Sequence, residues 1–276
     1  MAKTILITGA TDGIGLLTAK TLAAQRHTVL LHGRSAEKLE AAAREVADAS
    51  ETFRADLSRL VEVAALAEDI QSRHDRIDVL INNAGVLKTP QARTTEGLDT
   101  RFVVNTLAPY LLTRQLLPII PKDGRVVNLS SAAQAPVDTN ALRGRHALDH
   151  MQAYAQSKLA ITIWTQEMAR AHPDGPAFIA VNPGSLLASK MVKEGFGVAG
   201  NDLSIGADIL GRAALSDEFA EATGRYFDND SGRFAQPHAA ASDRSQVAAV
   251  MDAIRDLTGG AGHGGSLTLK IVAGSP

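Results

Sequence analysis

The stretch TILITGATDGIG, residues 4–15, decides how this 276-residue chain is expected to fold. Its apolar run, Ile5-Leu6-Ile7, predicts a buried strand, and the glycines that follow predict a tight turn into a helix. Glycine has no Cβ atom, so the backbone of such a turn can approach a pyrophosphate closely, while the helix N-terminus offers free N–H groups. Three glycines also occur in ordinary turns between a strand and a helix. The pattern therefore indicates a dinucleotide site whose assignment depends on the rest of the chain.

The regions after this turn alternate between short apolar runs and longer helical patterns, which is typical of repeated βαβ units. The runs are apolar throughout, as expected for a parallel sheet covered by helices on both faces. We therefore predict an α/β fold, a three-layer, doubly wound parallel sheet of Rossmann type, formed as a single domain by residues 1–258. Ser242 or Asp243 would cap the last helix. Strands are predicted at 5–7, 28–31, 51–55, 78–81, 125–129 and 178–181, and helices at 13–26, 35–49, 58–74, 98–117, 150–171 and 243–257.

Two glycine-containing segments are predicted to lack regular structure. Residues 259–276 are expected to form a C-terminal tail that is flexible or forms an interface. Residues 186–203 are expected to form a mobile loop, whose apolar members could cover a pocket: Leu186, Leu187, Met191, Val192 and Phe196.

The composition excludes several classes of function. The formal net charge is −2, so no basic surface for nucleic acid is expected. The chain has no cysteine, which excludes disulfides, thiolate metal ligands and a cysteine nucleophile, and its eight histidines show no metal-ligand spacing. No apolar stretch approaches the roughly 20 residues that cross a bilayer, and Thr8-Gly9 ends the N-terminal apolar run. We expect a cytoplasmic protein with no membrane anchor, no metal site and no nucleic-acid partner.

A candidate for acid–base chemistry lies in the helix predicted at 150–171. Tyr154 and Lys158 are four residues apart, so they share one face of that helix. A phenol with a pKa of about 10 is a poor acid or base at neutral pH, and a nearby ammonium group would lower that pKa. A tyrosine and a lysine at this spacing also occur as an ordinary exposed cation–aromatic pair. Catalysis is favoured by Ser131, at the end of the strand predicted at 125–129, whose hydroxyl could stabilise a developing oxyanion.

The glycine spacing G-x-x-x-G-x-G resembles the glycine motif of the short-chain dehydrogenases/reductases, and later motifs agree over roughly residues 3–258. Asp56-Leu57 resembles the adenine-contacting pair of that family, Asn82-Asn83-Ala84-Gly85 its N-N-A-G motif, and Pro183-Gly184 the motif that packs on the nicotinamide. The resemblance implies an oxidoreductase that transfers a hydride between a nicotinamide dinucleotide and an alcohol, ketone or aldehyde. It implies that the cofactor is bound by Gly9, Thr11, Asp12, Gly13, Ile14, Gly15, Arg34, Asp56, Leu57, Asn83, Ala84, Gly85, Tyr154, Lys158, Pro183 and Gly184.

The same resemblance implies a catalytic set of Asn105, Ser131, Tyr154 and Lys158. Tyr154 would exchange a proton with the substrate oxygen, Lys158 would lower its pKa and bind the nicotinamide ribose, and Ser131 would orient the carbonyl. Asn105 matches the helix asparagine with which the family holds a water in its proton relay, and a buried core asparagine is the alternative. Ser130 is expected to be a turn or backbone-capping residue.

The sequence departs from the family pattern after Pro183. The family often has a threonine five residues after that proline, where this chain has Ala188. Ser189 or Ser185 could take its place against the cofactor. The departure concerns the geometry of this loop and leaves the expected reaction class unchanged.

The end of the second predicted strand bears on the choice of cofactor. NAD-specific proteins place an acidic residue there to bind the ribose hydroxyls, whereas this chain has Arg34 and no carboxylate. Arg34 could contact a 2′-phosphate, so we predict NADP(H), with NAD(H) as the alternative. An arginine that merely faces solvent is the other interpretation. Asp12 would repel the phosphate if it pointed toward it, or would instead favour the helix N-terminus.

The long segment between Ser131 and Tyr154, together with Gly224-Arg225-Tyr226-Phe227, resembles the retinol-dehydrogenase-like branch of the family. This resemblance implies a lipophilic alcohol or carbonyl substrate. The helices at 98–117 and 150–171 form the usual dimer face in similar proteins, so a homodimer or homotetramer is expected. Trp164 is expected to lie in the core.

Three alternatives are compatible with parts of the sequence. A hydrolase triad could combine Ser131 with His146 or His150 and Asp149, but no G-x-S-x-G elbow surrounds the serine. A non-catalytic dinucleotide-binding sensor or scaffold would be expected to have lost the Ser–Tyr–Lys set, which is complete here. An extended sugar-nucleotide epimerase would need a larger C-terminal substrate domain.

Overall fold

The computed structural model describes residues 1–46, 51–185, 187 and 200–259, and a mostly parallel sheet runs through them. Its strands are β1 (Thr4–Ile7), β2 (Thr28–Gly33), β3 (Glu51–Arg54), β4 (Val79–Asn82), β5 (Arg125–Leu129), β6 (Ala177–Asn182), β7 (Tyr226–Asp228) and β8 (Arg233–Ala235). The order across the sheet is β3-β2-β1-β4-β5-β6-β7-β8. Only the last pair of these strands, β7 and β8, is antiparallel.

Helices cover both faces of this sheet. They are α1 (Gly13–Ala24), α2 (Ala36–Val46), α3 (Leu60–Arg73), α4 (Thr100–Phe102), α5 (Ala108–Leu116), α6 (Thr139–Leu142), α7 (His150–Ala171), α8 (Leu203–Leu215) and α9 (Arg244–Leu257). Alternate strand residues point to opposite faces, so Leu6 belongs to the core cluster that includes residues of α3, α5, α7 and α9, while Ile5 and Ile7 belong to the cluster with α1, α2 and α8. The predicted three-layer, doubly wound α/β fold is confirmed.

The strand order determines where a ligand can bind. The chain builds outward from β1 to β2 and β3, and then returns to the other side of β1 with β4, β5 and β6. Open parallel sheets bind ligands at this reversal, in the crevice beyond the carboxyl ends of the strands. The glycine turn follows β1, the N-N-A-G loop follows β4, and Ser131 follows β5, so the sequence motifs share this edge.

The helix predicted at 98–117 is interrupted in the structure. After α4 the chain forms a π-helical turn, Val103–Leu107, before α5 begins. The Ala108 N–H donates to Val103 O, five residues earlier in the chain. Such turns hold an additional residue and frequently mark functional sites. Every residue of this turn is buried, so the apolar pattern of the sequence continues through it and gives no sign of the interruption.

Several elements of the carboxyl half are absent from the predicted strands and helices, namely α6, α8, β7 and β8. Helix α8 starts at the end of the predicted loop 186–203, where the Asp202 side chain caps it. Strand β8 has three residues, too few to show a periodicity. The cap of α9 is Asp243, one of the two predicted candidates. None of the helices in the described part of the chain is both long and apolar enough to cross a bilayer.

The predicted lid and tail lie almost entirely outside the described residues. Of the five lid residues, Leu187 is described, and it is buried. The tail boundary at 258 and the tail itself therefore stay predictions.

The central turns of α7 are covered by the chain itself. All residues from 157 to 165 are buried, and α4, β6 and α9 pack against this helix. Trp164 is fully buried there, as predicted, with its ring edge-on to Tyr110. The homodimer or homotetramer stays a prediction. Its interface would involve surfaces other than these turns.

Candidate active site

The glycine turn between β1 and α1 has the shape that a pyrophosphate requires. Gly9 and Gly13 have positive φ angles of 67° and 53°, which residues with side chains rarely adopt. A Cβ atom on Gly15 would lie 2.4 Å from both Gly9 O and Asn83 Nδ2, so only glycine fits there. A Cβ atom on Gly13 would meet nothing within 4 Å, so the turn is open at the N-terminus of α1. An open helix N-terminus with free N–H groups fits a dinucleotide phosphate.

The N-N-A-G loop after β4 holds this turn in place. The Asn83 side-chain amide donates to Thr8 O at 2.8 Å and to Gly9 O at 3.1 Å. The Thr8 hydroxyl in turn accepts hydrogen bonds from the backbone N–H groups of Asn83 and Ala84. The Asn83 side chain therefore shapes the glycine turn, and Ala84 and Gly85 follow it along the same edge of the sheet.

His32, at the end of β2, holds the same turn from the other side. Its imidazole is buried, its Nδ1 accepts from the Gly9 N–H at 3.3 Å, and its Nε2 lies 3.2 Å from Ala55 O. A carbonyl oxygen only accepts, so the hydrogen-bond network assigns the neutral tautomer with its proton on Nε2. Burial lowers the pKa of His32 to about 4, so the ring is neutral at physiological pH. One side chain thus connects the carboxyl ends of β1, β2 and β3.

The residues expected at the adenine end lie beside this turn. Gly33 packs so closely on the turn that a Cβ atom there would lie 2.5 Å from Thr11 Cγ2. This contact brings the next residue, the exposed Arg34, alongside the turn. The Asp12 carboxylate caps α1 by accepting from the Gly13 N–H at 2.8 Å. The structure therefore agrees with the second interpretation of Asp12, in which its charge favours the N-terminus of the helix.

Asp56 and Leu57 follow β3 at the same edge. The Asp56 carboxylate accepts from the N–H and the hydroxyl of Ser58, at 2.9 and 2.8 Å, and Leu57 is buried under α3. Ile14, in the first turn of α1, packs against Gly206 of α8, where a Cβ atom would lie 3.1 Å from its Cδ1. These contacts fix the orientation of the side chains along this edge.

Ser131, Tyr154 and Lys158 meet at the carboxyl end of β5. The Lys158 side chain is 4% exposed, and its Nζ donates to Leu129 O at 2.7 Å. This Nζ lies 5.6 Å from the centre of the Tyr154 ring, and the Ser131 hydroxyl lies close enough to the Tyr154 phenol to act on its pKa. The neighbouring Ser130 donates to Lys158 O at 3.0 Å, as expected for a backbone-capping residue.

Burial controls the acid–base properties of this set. It raises the pKa of Tyr154, and the nearby Ser131 hydroxyl opposes that increase. The Lys158 ammonium lies over the Tyr154 ring, and its expected lowering of this pKa stays a prediction. Burial also lowers the pKa of Lys158 from 10.5 to about 8. A phenol that stays protonated is suited to donate a proton, as the reduction of a carbonyl requires.

Asn105 connects three segments around the site from its place in the π-helical turn. Its Oδ1 accepts from the Val86 N–H at 2.8 Å, and its Nδ2 donates to Val86 O and to Ser157 Oγ. The Ser157 hydroxyl donates to Tyr154 O at 2.7 Å. The Asn105 amide is thus used to join the loop after β4 to α7, next to Tyr154. Its expected role in a water relay stays a prediction.

The loop after β6 is anchored by Asp230. The Asp230 carboxylate accepts from the N–H and the hydroxyl of Ser185 and from the Asn182 side chain. Gly184 has a φ of 121°, which allows the chain to turn sharply after Pro183. The Ser185 hydroxyl is thus held by Asp230, and its expected role against the cofactor stays a prediction. Two other residues named for this position, 188 and 189, lie outside the described residues.

The residues that were candidates for a hydrolase triad contact other groups in the structure. His146 Nε2 lies 3.0 Å from the Asp138 carboxylate, and Asp149 caps α7. The Ser131 hydroxyl oxygen accepts from the Ala133 N–H at 3.1 Å. The described residues therefore assemble no Ser–His–Asp triad around Ser131.

The residues at this edge that the sequence does not predict as site residues include His32, Ser157, Asp230 and Gln134, whose Nε2 donates to Ser131 O at 2.9 Å. A polar residue within the apolar run of β2 indicates that His32 needs a buried partner, and this signal could have identified it. The other three are ordinary polar residues in polar surroundings. Their roles depend on contacts between segments that are distant along the chain.

Comparison with known proteins agrees with this arrangement. The chain matches the profile of the short chain dehydrogenase family over residues 3–200, which include the glycine turn, Ser131, Tyr154 and Lys158. Retinol dehydrogenase 13 of Homo sapiens is 32% identical over 253 residues, which cover 82% of this chain and 76% of that protein.

Two solved structures of similar proteins contain a dinucleotide. The 3-ketoacyl-(acyl-carrier-protein) reductase from Brucella melitensis, complexed with NADH, has a TM-score of 0.67 at 26% identity, covering 84% of this chain and 98% of that one. A short chain dehydrogenase from Shigella flexneri, complexed with NADP, has a TM-score of 0.64 at 28% identity, covering 82% and 96%. Both nicotinamide dinucleotides therefore occur on this fold in similar chains.

The buried Lys158 should make the stability of the protein depend on pH. The Lys158 ammonium has a pKa of 10.5 in the unfolded chain and of about 8 in the folded chain. Between these pH values the unfolded state binds more protons than the folded state. The free energy of unfolding therefore rises with pH. The difference corresponds to about 3 kcal/mol when complete. We expect the free energy of unfolding, measured with urea from about pH 7 to about pH 10, to rise for the wild type relative to Lys158→Met. Lys122→Met, which removes an exposed lysine, is the control; parallel curves for the wild type and Lys158→Met would contradict the expectation.

Loss of the His32 imidazole should weaken dinucleotide binding. His32→Ala removes the acceptor of the Gly9 N–H and the donor to Ala55 O, so the glycine turn loses a support, and we expect the Kd of NADPH to rise about tenfold. This Kd is measured by fluorescence titration. His32→Gln, which keeps a donor and an acceptor, should recover most of the affinity for NADPH. His27→Ala is the matched control, because His27 accepts from the Lys3 N–H at the opposite end of β2. Equal weakening by the control would indicate a general loss of stability instead.

Proposed function

The chain belongs to the short chain dehydrogenase family and to its retinol-dehydrogenase-like branch, and from this premise we propose how its own residues carry out the reaction. As a member of the family it is a dinucleotide-dependent oxidoreductase that binds NAD(P)(H). We propose that NADP(H) is the preferred cofactor, that the substrate is a lipophilic alcohol, ketone or aldehyde, and that Tyr154 is the general acid and base.

The observation that carries this proposal is the meeting of Ser131, Tyr154 and Lys158 at the edge of the sheet that also holds the glycine turn. The three residues come from the end of β5 and from α7. Lys158 is buried there, although burial of an ammonium group is costly. A costly charge retained at a ligand-binding edge is typical of a functional site. A sensor or scaffold that only binds a dinucleotide does not need this charge, so the arrangement favours an enzyme.

Each residue of the set would have a separate task. The Ser131 hydroxyl would donate to the substrate oxygen and orient the carbonyl. The Tyr154 phenol would give its proton to that oxygen in reduction and take it back in oxidation. The Lys158 ammonium would hold the nicotinamide ribose and favour the phenolate that Tyr154 leaves behind. When bound, the dinucleotide supplies or accepts the hydride. Asn105 would keep α7 in register with the loop after β4 through its bond to Ser157.

The cofactor would lie along the edge formed by the strand ends. The glycine turn and the N-terminus of α1 would hold the pyrophosphate. Arg34, exposed beside that turn, would pair with the 2′-phosphate of NADP(H). Asp56 and Leu57 would border the adenine, and Pro183-Gly184 would border the nicotinamide.

The proposed substrate class has its support in the related proteins. The most informative of them is named a retinol dehydrogenase, and retinol is a lipophilic alcohol. A panel of all-trans-retinal, decanal and acetaldehyde, followed by nicotinamide absorbance with each dinucleotide, tests the class. Turnover of the first two above that of acetaldehyde would support a lipophilic substrate, and the opposite ranking would contradict it.

Replacing Tyr154 by Phe should abolish turnover. Tyr154→Phe removes the proton donor and leaves the ring in place, so we expect kcat to fall by about a hundredfold or more. The Kd of NADPH, measured by fluorescence, should remain nearly unchanged. Tyr110→Phe, on the buried face of α5, is the control and should keep full activity. Substantial activity in Tyr154→Phe would overturn the assignment of the general acid.

Replacing Arg34 by Ala should act on one cofactor only. Loss of the charge-assisted contact to the 2′-phosphate should raise the KM for NADPH about tenfold and leave that for NADH nearly unchanged. Arg44→Ala, which removes an exposed arginine from the last turn of α2, controls for the change in charge. An equal effect of Arg34→Ala on both cofactors would exclude the 2′-phosphate contact.

A further inference from the structure

The carbonyl oxygen of Ser131 receives hydrogen bonds from two side chains that have no task in the mechanism above. The Tyr226 hydroxyl donates to it at 3.1 Å, and Gln134 Nε2 donates to it at 2.9 Å. The Gln134 and Tyr226 side chains thus converge on one acceptor atom. The main chain of Ser131 is therefore held from two directions.

Gln134 is itself fixed by the surrounding segments. Its Oε1 accepts from the His238 N–H at 2.9 Å, which ties it to the segment before α9. Its Nε2 also lies 3.4 Å from Ser130 Oγ, so the same amide contacts both serines at the end of β5. A side chain held at both ends of its amide group can orient a neighbour, because it has little freedom to move away.

Tyr226 reaches Ser131 from β7 by passing over β6. Ala180 of β6 is the register partner of Tyr226 on one side and of Asn128 of β5 on the other. Neighbouring strands lie about 4.8 Å apart, so the contact spans about 10 Å and requires a long side chain. Ala180 carries only a methyl group at the crossing point, which leaves space for the phenol. Tyr226 is only 5% exposed, so its side chain has little freedom to leave this contact.

Tyr226 remains a hydrogen-bond donor over the working pH range. Burial raises its pKa, and the nearby carboxylates of Asp228 and Asp230 raise it further. Its hydroxyl is directed to a main-chain oxygen. These properties suit a fixed support better than a second proton-transfer group.

We propose that Tyr226 is a positioning residue for the reaction, because its hydroxyl and Gln134 together hold the main chain of Ser131 so that the Ser131 hydroxyl faces Tyr154 and the substrate oxygen. Tyr226 acts only through Ser131. The inference therefore rests on the proposed function, in which Ser131 orients the substrate carbonyl.

A double-mutant cycle tests this inference. Tyr226→Phe removes one of the two donors to Ser131 O, so kcat for decanal reduction should fall about three- to tenfold, while the KM and the fluorescence Kd of NADPH stay unchanged. In the Ser131→Ala background the same substitution should change kcat less than about twofold, because no hydroxyl is left to position. Tyr110→Phe is the matched control for loss of a buried phenol hydroxyl, and it should change neither value.

The outcomes separate this inference from the proposed function. Equal losses from Tyr226→Phe in both backgrounds, or no loss in the wild-type background, would overturn the inference and leave the proposed function intact. Wild-type kcat in Ser131→Ala would overturn the role of Ser131 and the inference with it. If the Tm of Tyr226→Phe shows that it does not fold, Gln134→Met removes the other donor and should show the same coupling to Ser131→Ala.

Discussion

Helix α1, the glycine turn and the loop after β4 meet at Gly15. A Cβ atom on this residue would lie 2.4 Å from Gly9 O and from Asn83 Nδ2, so the three segments can approach only because residue 15 has no side chain. The close approach allows the Asn83 amide to bind Thr8 O and Gly9 O, and these bonds hold the turn open toward the N-terminus of α1. The position of α1 on the sheet and the shape of the phosphate-binding edge both depend on this contact.

At the other end of the site, main-chain oxygen atoms hold the reactive side chains. Leu129 O accepts from Lys158 Nζ, Tyr154 O accepts from the Ser157 hydroxyl, and Ser131 O accepts from Tyr226. Atoms at the end of a central strand and within a buried helix move little, so they define positions well. The same burial destabilises the charged forms of both titrating groups, raising the pKa of Tyr154 and lowering that of Lys158. Burial of these groups costs the folded state some stability, and it gives them pKa values suited to acid–base chemistry.

The segments that follow the family profile contribute to the site as well. The profile ends at residue 200, whereas Tyr226 contacts Ser131, Asp230 anchors the loop after β6, and α9 packs on α7. These contacts extend the support of the reactive edge beyond the part of the chain that matches the family profile.

Features that depend on neighbours along the chain can be predicted from the amino-acid sequence. The alternation of apolar runs and helical patterns predicts the sheet and its layers, the bounds of α7 at 150–171 agree with its pattern, and the glycine spacing predicts the turn after β1. The distant residues that support these features are brought to them by the fold. His32 lies 23 residues from Gly9 and Tyr226 lies 95 residues from Ser131, so no local pattern contains these pairs. The direction of the Tyr154 pKa, the π-helical turn at Asn105 and the covered face of α7 likewise depend on burial, which is a property of the packed molecule and not of any single segment.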